Sequence, residues 1–132
     1  MQETRKSILV VEDERPLLEA IRAKLESSGF DVVGARSTQE AFNHLQDVPG
    51  ISAIWLDHYL LGSENGLDFI AKCKSDGSSY KRIPIFLVSN TAGSDKVHEY
   101  MRLGATQYFV KSNSRLTDII VAIKDFLKTK GT

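Results

Sequence analysis

One cysteine, Cys73, stands alone in the 132 residues, so no internal disulfide can form and a cytoplasmic setting is expected. With no redox partner beside it, the thiol reads as helix packing. An excess of one charge sign is lacking as well, since 17 Lys and Arg balance 17 Asp and Glu. That balance excludes a broad electrostatic grip on nucleic acid or an anionic membrane surface, and no helical segment carries a basic recognition face. No apolar run approaches the roughly 20 residues that cross a bilayer. The stretch Met1-Gln2-Glu3-Thr4-Arg5-Lys6 lacks the apolar centre of a signal peptide. The histidines His44, His58 and His98 fall on separate segments without metal-ligand spacing and are expected at the surface, with His58 adjoining the candidate site described below. Long linkers and low-complexity tracts are missing too. A single domain over residues 1–132, with its core at about 7–127 and no output domain, is the expected organisation.

What is present is a fivefold alternation of strand-like and helix-like segments. Strands are expected at Ser7–Glu12, Asp31–Ala35, Ser52–Leu56, Ile83–Ser89 and Thr106–Val110. Pro16 suits the first turn of a helix with Leu17, Ile21 and Leu25 on one face, stopped by Gly29. Ser37-Thr38-Gln39-Glu40 is a capping-box pattern opening a second helix that ends near Pro49-Gly50. A third runs from Gly66 to Ser75 with Leu67, Ile70 and Ala71 inward. A fourth is capped by Ser94, points Val97 and Met101 inward and stops at Gly104. The fifth, Leu116–Lys128, gathers Ile119, Ile120, Ile123, Phe126 and Leu127 on one face. Near-continuous apolar strands separated by helices imply an α/β fold, a doubly wound parallel sheet covered on both faces as a three-layer sandwich.

The C-terminal ends of four strands carry the chemistry. Ile8-Leu9-Val10-Val11 runs into Glu12-Asp13, Ile54-Trp55-Leu56 into Asp57, Ile85-Phe86-Leu87-Val88 into Ser89, and Tyr108-Phe109-Val110 into Lys111. In a parallel sheet these ends share one edge. A carboxylate at the end of a buried strand is costly unless its charge is used. Three carboxylates facing one ammonium call for a divalent cation, and hard oxygen ligands with room for water and phosphate suit Mg²⁺. Asp57 then has a task as nucleophile toward phosphorus, forming an acyl phosphate. Mg²⁺, Lys111, and Ser89 with a loop amide could each take one equatorial oxygen. Singly, these residues have plainer readings. Glu12-Asp13 suits a helix start, Asp57 a turn, Ser89 a backbone-bonded loop and Tyr108 simple strand packing.

Together, the acidic pair after Ile8-Leu9-Val10-Val11, the acceptor after Ile54-Trp55-Leu56, the hydroxyl after Phe86-Leu87-Val88 and the lysine closing Tyr108-Phe109-Val110-Lys111 resemble the receiver domain of two-component response regulators, of the chemotaxis-regulator kind. The resemblance runs from Ser7 to Leu127. It implies a flavodoxin-like (βα)5 sheet of strand order 2-1-3-4-5 and a signalling module rather than an enzyme. It also implies that a sensor histidine kinase or histidine phosphotransfer protein phosphorylates Asp57 with Mg²⁺ as cofactor. The implied metal ligands are Asp13, Asp57 and the backbone carbonyl of Tyr59, with Glu12 acting through water. Ser89, Asn90, Lys111 and Tyr108 are implied as the phosphoryl-binding and switch set. The switch would alter the face of the fourth helix, fifth strand and fifth helix toward a downstream protein, as a monomer or a weak homodimer through that face, with no direct nucleic-acid or membrane contact.

This chain departs from the family pattern at three points. Ser112 follows Lys111 where a proline with a cis bond is usual, which makes a cis bond improbable and the loop more flexible. The loop His58–Gly66 is one residue longer than common, with Leu61 where proline is frequent. Asn90 replaces a small residue, and its bulk would narrow access to Asp57; Tyr59 and Thr91 also flank the acceptor. A phosphatase using Asp-x-Asp is disfavoured because position 59 is Tyr, and a flavin site because Glu12-Asp13-Glu14 would repel phosphate. A pseudo-receiver that binds partners without phosphorylation remains the alternative. The chain reads either as a stand-alone regulator or as a receiver cut from a longer protein.

Overall fold

The computed structural model describes residues 5–90 and 93–130, so the expectation for Thr91 lies outside the described residues. The elements are β1 (Ser7–Val11), α1 (Arg15–Ser27), β2 (Asp31–Ala35), α2 (Thr38–Asp47), β3 (Ile51–Leu56), α3 (Gly66–Cys73), β4 (Ile85–Ser89), α4 (Ser94–Leu103), β5 (Gln107–Val110), a 3₁₀ turn (Lys111–Asn113) and α5 (Leu116–Lys130). All strand pairs are parallel, in the order β2-β1-β3-β4-β5. Strand alternation divides the core into two layers. Leu9, Val11, Ile54, Leu56 and Leu87 face α2, α3 and α4, whereas Ile8, Val10, Trp55, Phe86 and Val88 face α1 and α5. Among the described residues no helix is long and apolar enough to cross a membrane.

The local differences from the sequence reading have plain causes. β4 begins at Ile85 rather than Ile83 because Pro84 has no N–H for the ladder; its carbonyl still accepts from Ile54 N at 2.9 Å. The second helix has half the expected capping box. Ser37 accepts from Glu40 N at 3.1 Å, but Glu40 turns back to Arg36 N. The complete box is at α3, where Asn65 and Asp68 each bond the other's backbone amide. Gly93, not Ser94, is the N-cap of α4, and Gly104 ends it at φ 115° as expected. Inward faces also rotate by one position. Cys73 and Phe69 are buried on α3 while Ala71 is exposed, and Tyr100 is buried on α4 while Met101 is exposed. The Cys73 thiol is pushed up to about 12 by burial, which fits packing and not reactivity.

Candidate functional site

Each charged group is delivered by a strand that ends in the core. Glu12 N donates to Ala35 O at 2.9 Å and Asp57 N to Val11 O at 3.0 Å, so the ladder pins both residues just beyond β1 and β3. Glu12 is fully buried, Asp57 almost so, and Asp13 half-buried. One carboxylate oxygen from each of these three lies within 4.8 Å of the others. Lys111 Nζ bridges two of them, 3.0 Å from Glu12 Oε1 and 3.1 Å from Asp57 Oδ2. The other carboxylate oxygen of Asp57, Oδ1, takes the His58 amide at 2.7 Å. Glu12 Oε2 takes the Glu14 amide at 3.1 Å, and Arg36 Nε donates to the Asp13 carbonyl at 2.9 Å.

Burial, then the nearby charge of Asp57, raises Glu12 from an ordinary 4.5 to about 7, despite the Glu14 amide and Lys111. For Lys111 burial works to lower the value, but Glu12 and Asp57 outweigh it and hold the ammonium above its ordinary range. The raised Glu12 value sets a sign for stability. An acid whose folded pKa exceeds its unfolded one stabilises the fold when protonated; that contribution is complete below about 4.5 and lost as pH rises through about 7. The chelator-treated protein is therefore expected to show a higher urea midpoint at pH 5.5 than at pH 8, with the gap narrowed in Glu12→Gln. An equal gap in that variant would assign the pH dependence elsewhere.

Three clustered carboxylates, two of them paired with Lys111, form an oxygen donor set that fits Mg²⁺, with Asp13 the most open of the three. Ser89, fully buried, ends the neighbouring strand, and the Tyr108 hydroxyl donates to its carbonyl at 3.3 Å. Asn90 is exposed, and its Oδ1 accepts from Ser112 N–H at 2.8 Å, a bond that a proline at 112 could not make. The β5–α5 loop is thus tied to the end of β4, and all described peptide bonds are trans. The Tyr59 ring is exposed and stands edge-on to His58, with centroids 4.7 Å apart. The long loop after Asp57 is stitched to the β2–α2 connection. Leu61 N donates to Arg36 O, and Glu64 takes both Thr38 Oγ1 and Lys72 Nζ.

His58 corrects an expectation. It is not at the surface but 2% exposed, with Nδ1 2.6 Å from the Tyr100 hydroxyl, and burial followed by Lys96 lowers its pKa. Sequence reasoning also missed Gly66 as a close-approach point and Arg36 as a brace for Asp13. The residue types carried no signal for either, because both act through backbone brought near by the fold.

The response regulator receiver domain family model matches residues 8–124. Chemotaxis protein CheY1 of Helicobacter pylori is 30% identical over 79% of this chain and 83% of that protein. The two-component response regulator PprB and the phosphate regulon regulator PhoB of Pseudomonas aeruginosa are 30% and 28% identical, and the chain spans only 38% and 53% of their lengths. Among solved structures, a response regulator receiver protein from Pseudomonas putida superposes with a TM-score of 0.85 at 27% identity, covering 94% of this chain and 99% of that one. The phosphorylated cyanobacterial phytochrome response regulator RcpA superposes at 0.78 with 26% identity, covering 95% and 93%.

Proposed function

Because the chain belongs to the response regulator receiver domain family, we propose that it forms one receiver domain over residues 1–132 and accepts a phosphoryl group on Asp57. A histidine kinase or histidine phosphotransfer protein is the donor, and a cytoplasmic signalling module, not an enzyme acting on a separate substrate, is the role. The observation that carries the reading is the shared ammonium. Lys111 Nζ bridges Glu12 and Asp57 within a cluster that already holds Asp13.

In the transfer, a lone pair on an Asp57 oxygen forms the new O–P bond as the P–N bond of a donor phosphohistidine breaks. The bonding pair stays on the donor imidazole, which takes up a proton. Asp13, Asp57 and the Tyr59 carbonyl would hold Mg²⁺, with Glu12 acting through water; the ion supplies positive charge against the transferring oxygens. Lys111 is already paired to the acceptor and offers its charge to a second oxygen. The Ser89 hydroxyl, at the next strand end, is assigned a third, with Asn90 and Tyr108 completing the switch set. Partner choice is assigned to the α4-β5-α5 face, where Met101 and Val121 are 42% and 55% exposed.

Intact-mass measurement after acetyl phosphate treatment tests the reading, since one adduct should form and should require Mg²⁺. Asp13→Asn is expected to weaken Mg²⁺ binding about tenfold or more, read by calorimetric titration, because it removes the most open carboxylate of the set. Unchanged affinity would remove Asp13 from the ligands.

A further inference from the structure

We propose that His58 and Tyr100 are positioning residues that carry the state of Asp57 to α4, through a buried hydrogen bond. The inference rests on the phosphoryl-acceptor reading above. His58 is bonded at both ends: its backbone N–H donates to Asp57 Oδ1 at 2.7 Å, and its Nδ1 meets the Tyr100 hydroxyl at 2.6 Å. Both side chains are buried, at 2% and 0% exposure. Tyr100 is the buried residue of α4, and its ring packs in the same core layer as Phe69 and Ile70 of α3. For packing alone a phenylalanine would serve there. A buried hydroxyl needs a partner, as does a buried imidazole, so each of these residues explains the other.

The slot that admits the hydroxyl is built by Gly66. A Cβ at that position would stand 2.4 Å from the Tyr100 hydroxyl and 2.7 Å from the Asp57 carbonyl oxygen. The acceptor's backbone, the first residue of α3 and the buried anchor of α4 therefore meet at one point. Two further ring contacts fix the imidazole, edge-on to Tyr59 at 4.7 Å and to Tyr100 at 5.7 Å.

Phosphorylation changes what His58 N–H sees. The Asp57 carboxylate becomes an acyl phosphate, its own charge is lost to the phosphoryl oxygens, and the charge-assisted bond to His58 weakens. A shift of residue 58 is passed to Tyr100 because the hydrogen bond that joins them is buried at both ends. The anchor of α4 is then biased between two positions, the local event that a receiver surface needs. This route runs on the α3 side of α4 and is separate from the Ser89–Tyr108 pair, which sits between β4 and β5.

Hydrogen exchange of peptides covering residues 94–103, with and without acetyl phosphate and Mg²⁺, tests the proposal in wild type, Tyr100→Phe and Tyr100→Phe with His58→Leu. Adduct yield is followed by intact mass in the same samples. Wild type should change α4 exchange about threefold or more on phosphorylation. Tyr100→Phe should keep its adduct yield within about twofold yet lose most of that change, and the double variant, whose pair is apolar on both sides, should lose no more. A purely structural tyrosine would alter baseline exchange while leaving the phosphorylation-dependent difference intact, and that result overturns the proposal. So does an unchanged α4 in phosphorylated wild type. Absence of any adduct on wild type overturns the acceptor reading and this inference with it.

Discussion

Asp57→Asn should abolish the phosphoryl adduct, at least a hundredfold below wild type by intact mass after acetyl phosphate and Mg²⁺. The amide oxygen that replaces the carboxylate carries no formal charge and is a poor nucleophile toward phosphorus. Nothing else in the cluster substitutes for it. Glu12 is fully buried and held by Lys111 and the Glu14 amide. The substitution should leave the fold intact, because Asn keeps the shape of Asp and can still accept the His58 amide. It should even stabilise the chelator-treated protein near neutral pH. The charge of Asp57 is one of the causes that raise Glu12 to about 7, and removing it lets Glu12 ionise more easily. An adduct that persists on Asp57→Asn would move the acceptor to another residue. A variant that loses its adduct together with its cooperative unfolding would say nothing for the nucleophile, so the urea midpoint is measured beside it.

Gly66→Ala should be strongly damaging although it adds only one methyl group. Ordinary advice would favour alanine in a helix, since glycine there costs roughly 0.5–1 kcal/mol. At this position sterics win. The added Cβ would lie 2.7 Å from the Asp57 carbonyl oxygen and 3.1 Å from His58 Cα, both backbone atoms that cannot turn aside, and 2.4 Å from the Tyr100 hydroxyl. Overpacking of this kind costs about 1–3 kcal/mol, which outweighs the propensity gain. For a chain of this size that corresponds to a fall in melting temperature of about 3–10 °C. The displaced groups are the backbone of Asp57 and His58, so adduct formation on Asp57 should slow as well. The Gly66 N–H to His58 O bond at 2.9 Å would be strained by the same movement. A melting temperature equal to that of wild type would mean that α3 can shift freely, and the tight seat for Tyr100 would be disproved.

The elements, the sheet class and the charged edge can all be read from residue order alone. Strand and helix periodicities are local, so the five strands were legible, with ends off by one or two residues where the apolar pattern runs past or stops short of the hydrogen-bonded ladder. Asp57, Glu12, Asp13 and Lys111 were legible because a charge directly after an apolar strand is conspicuous, and one sheet edge gathers them all. Tertiary structure decided what depends on neighbours from elsewhere in the chain. Which residue of α4 points inward is set by the rotation of the helix on the sheet, and one position separates Tyr100 from Met101. His58 looked like a surface residue because its burial comes from Tyr100, 42 positions away. Asn90 and Ser112 looked like two separate departures until the fold joined them with one hydrogen bond. Periodicity reports the pattern along one segment, whereas a contact between segments depends on how each is turned against the other, and only packing sets that angle.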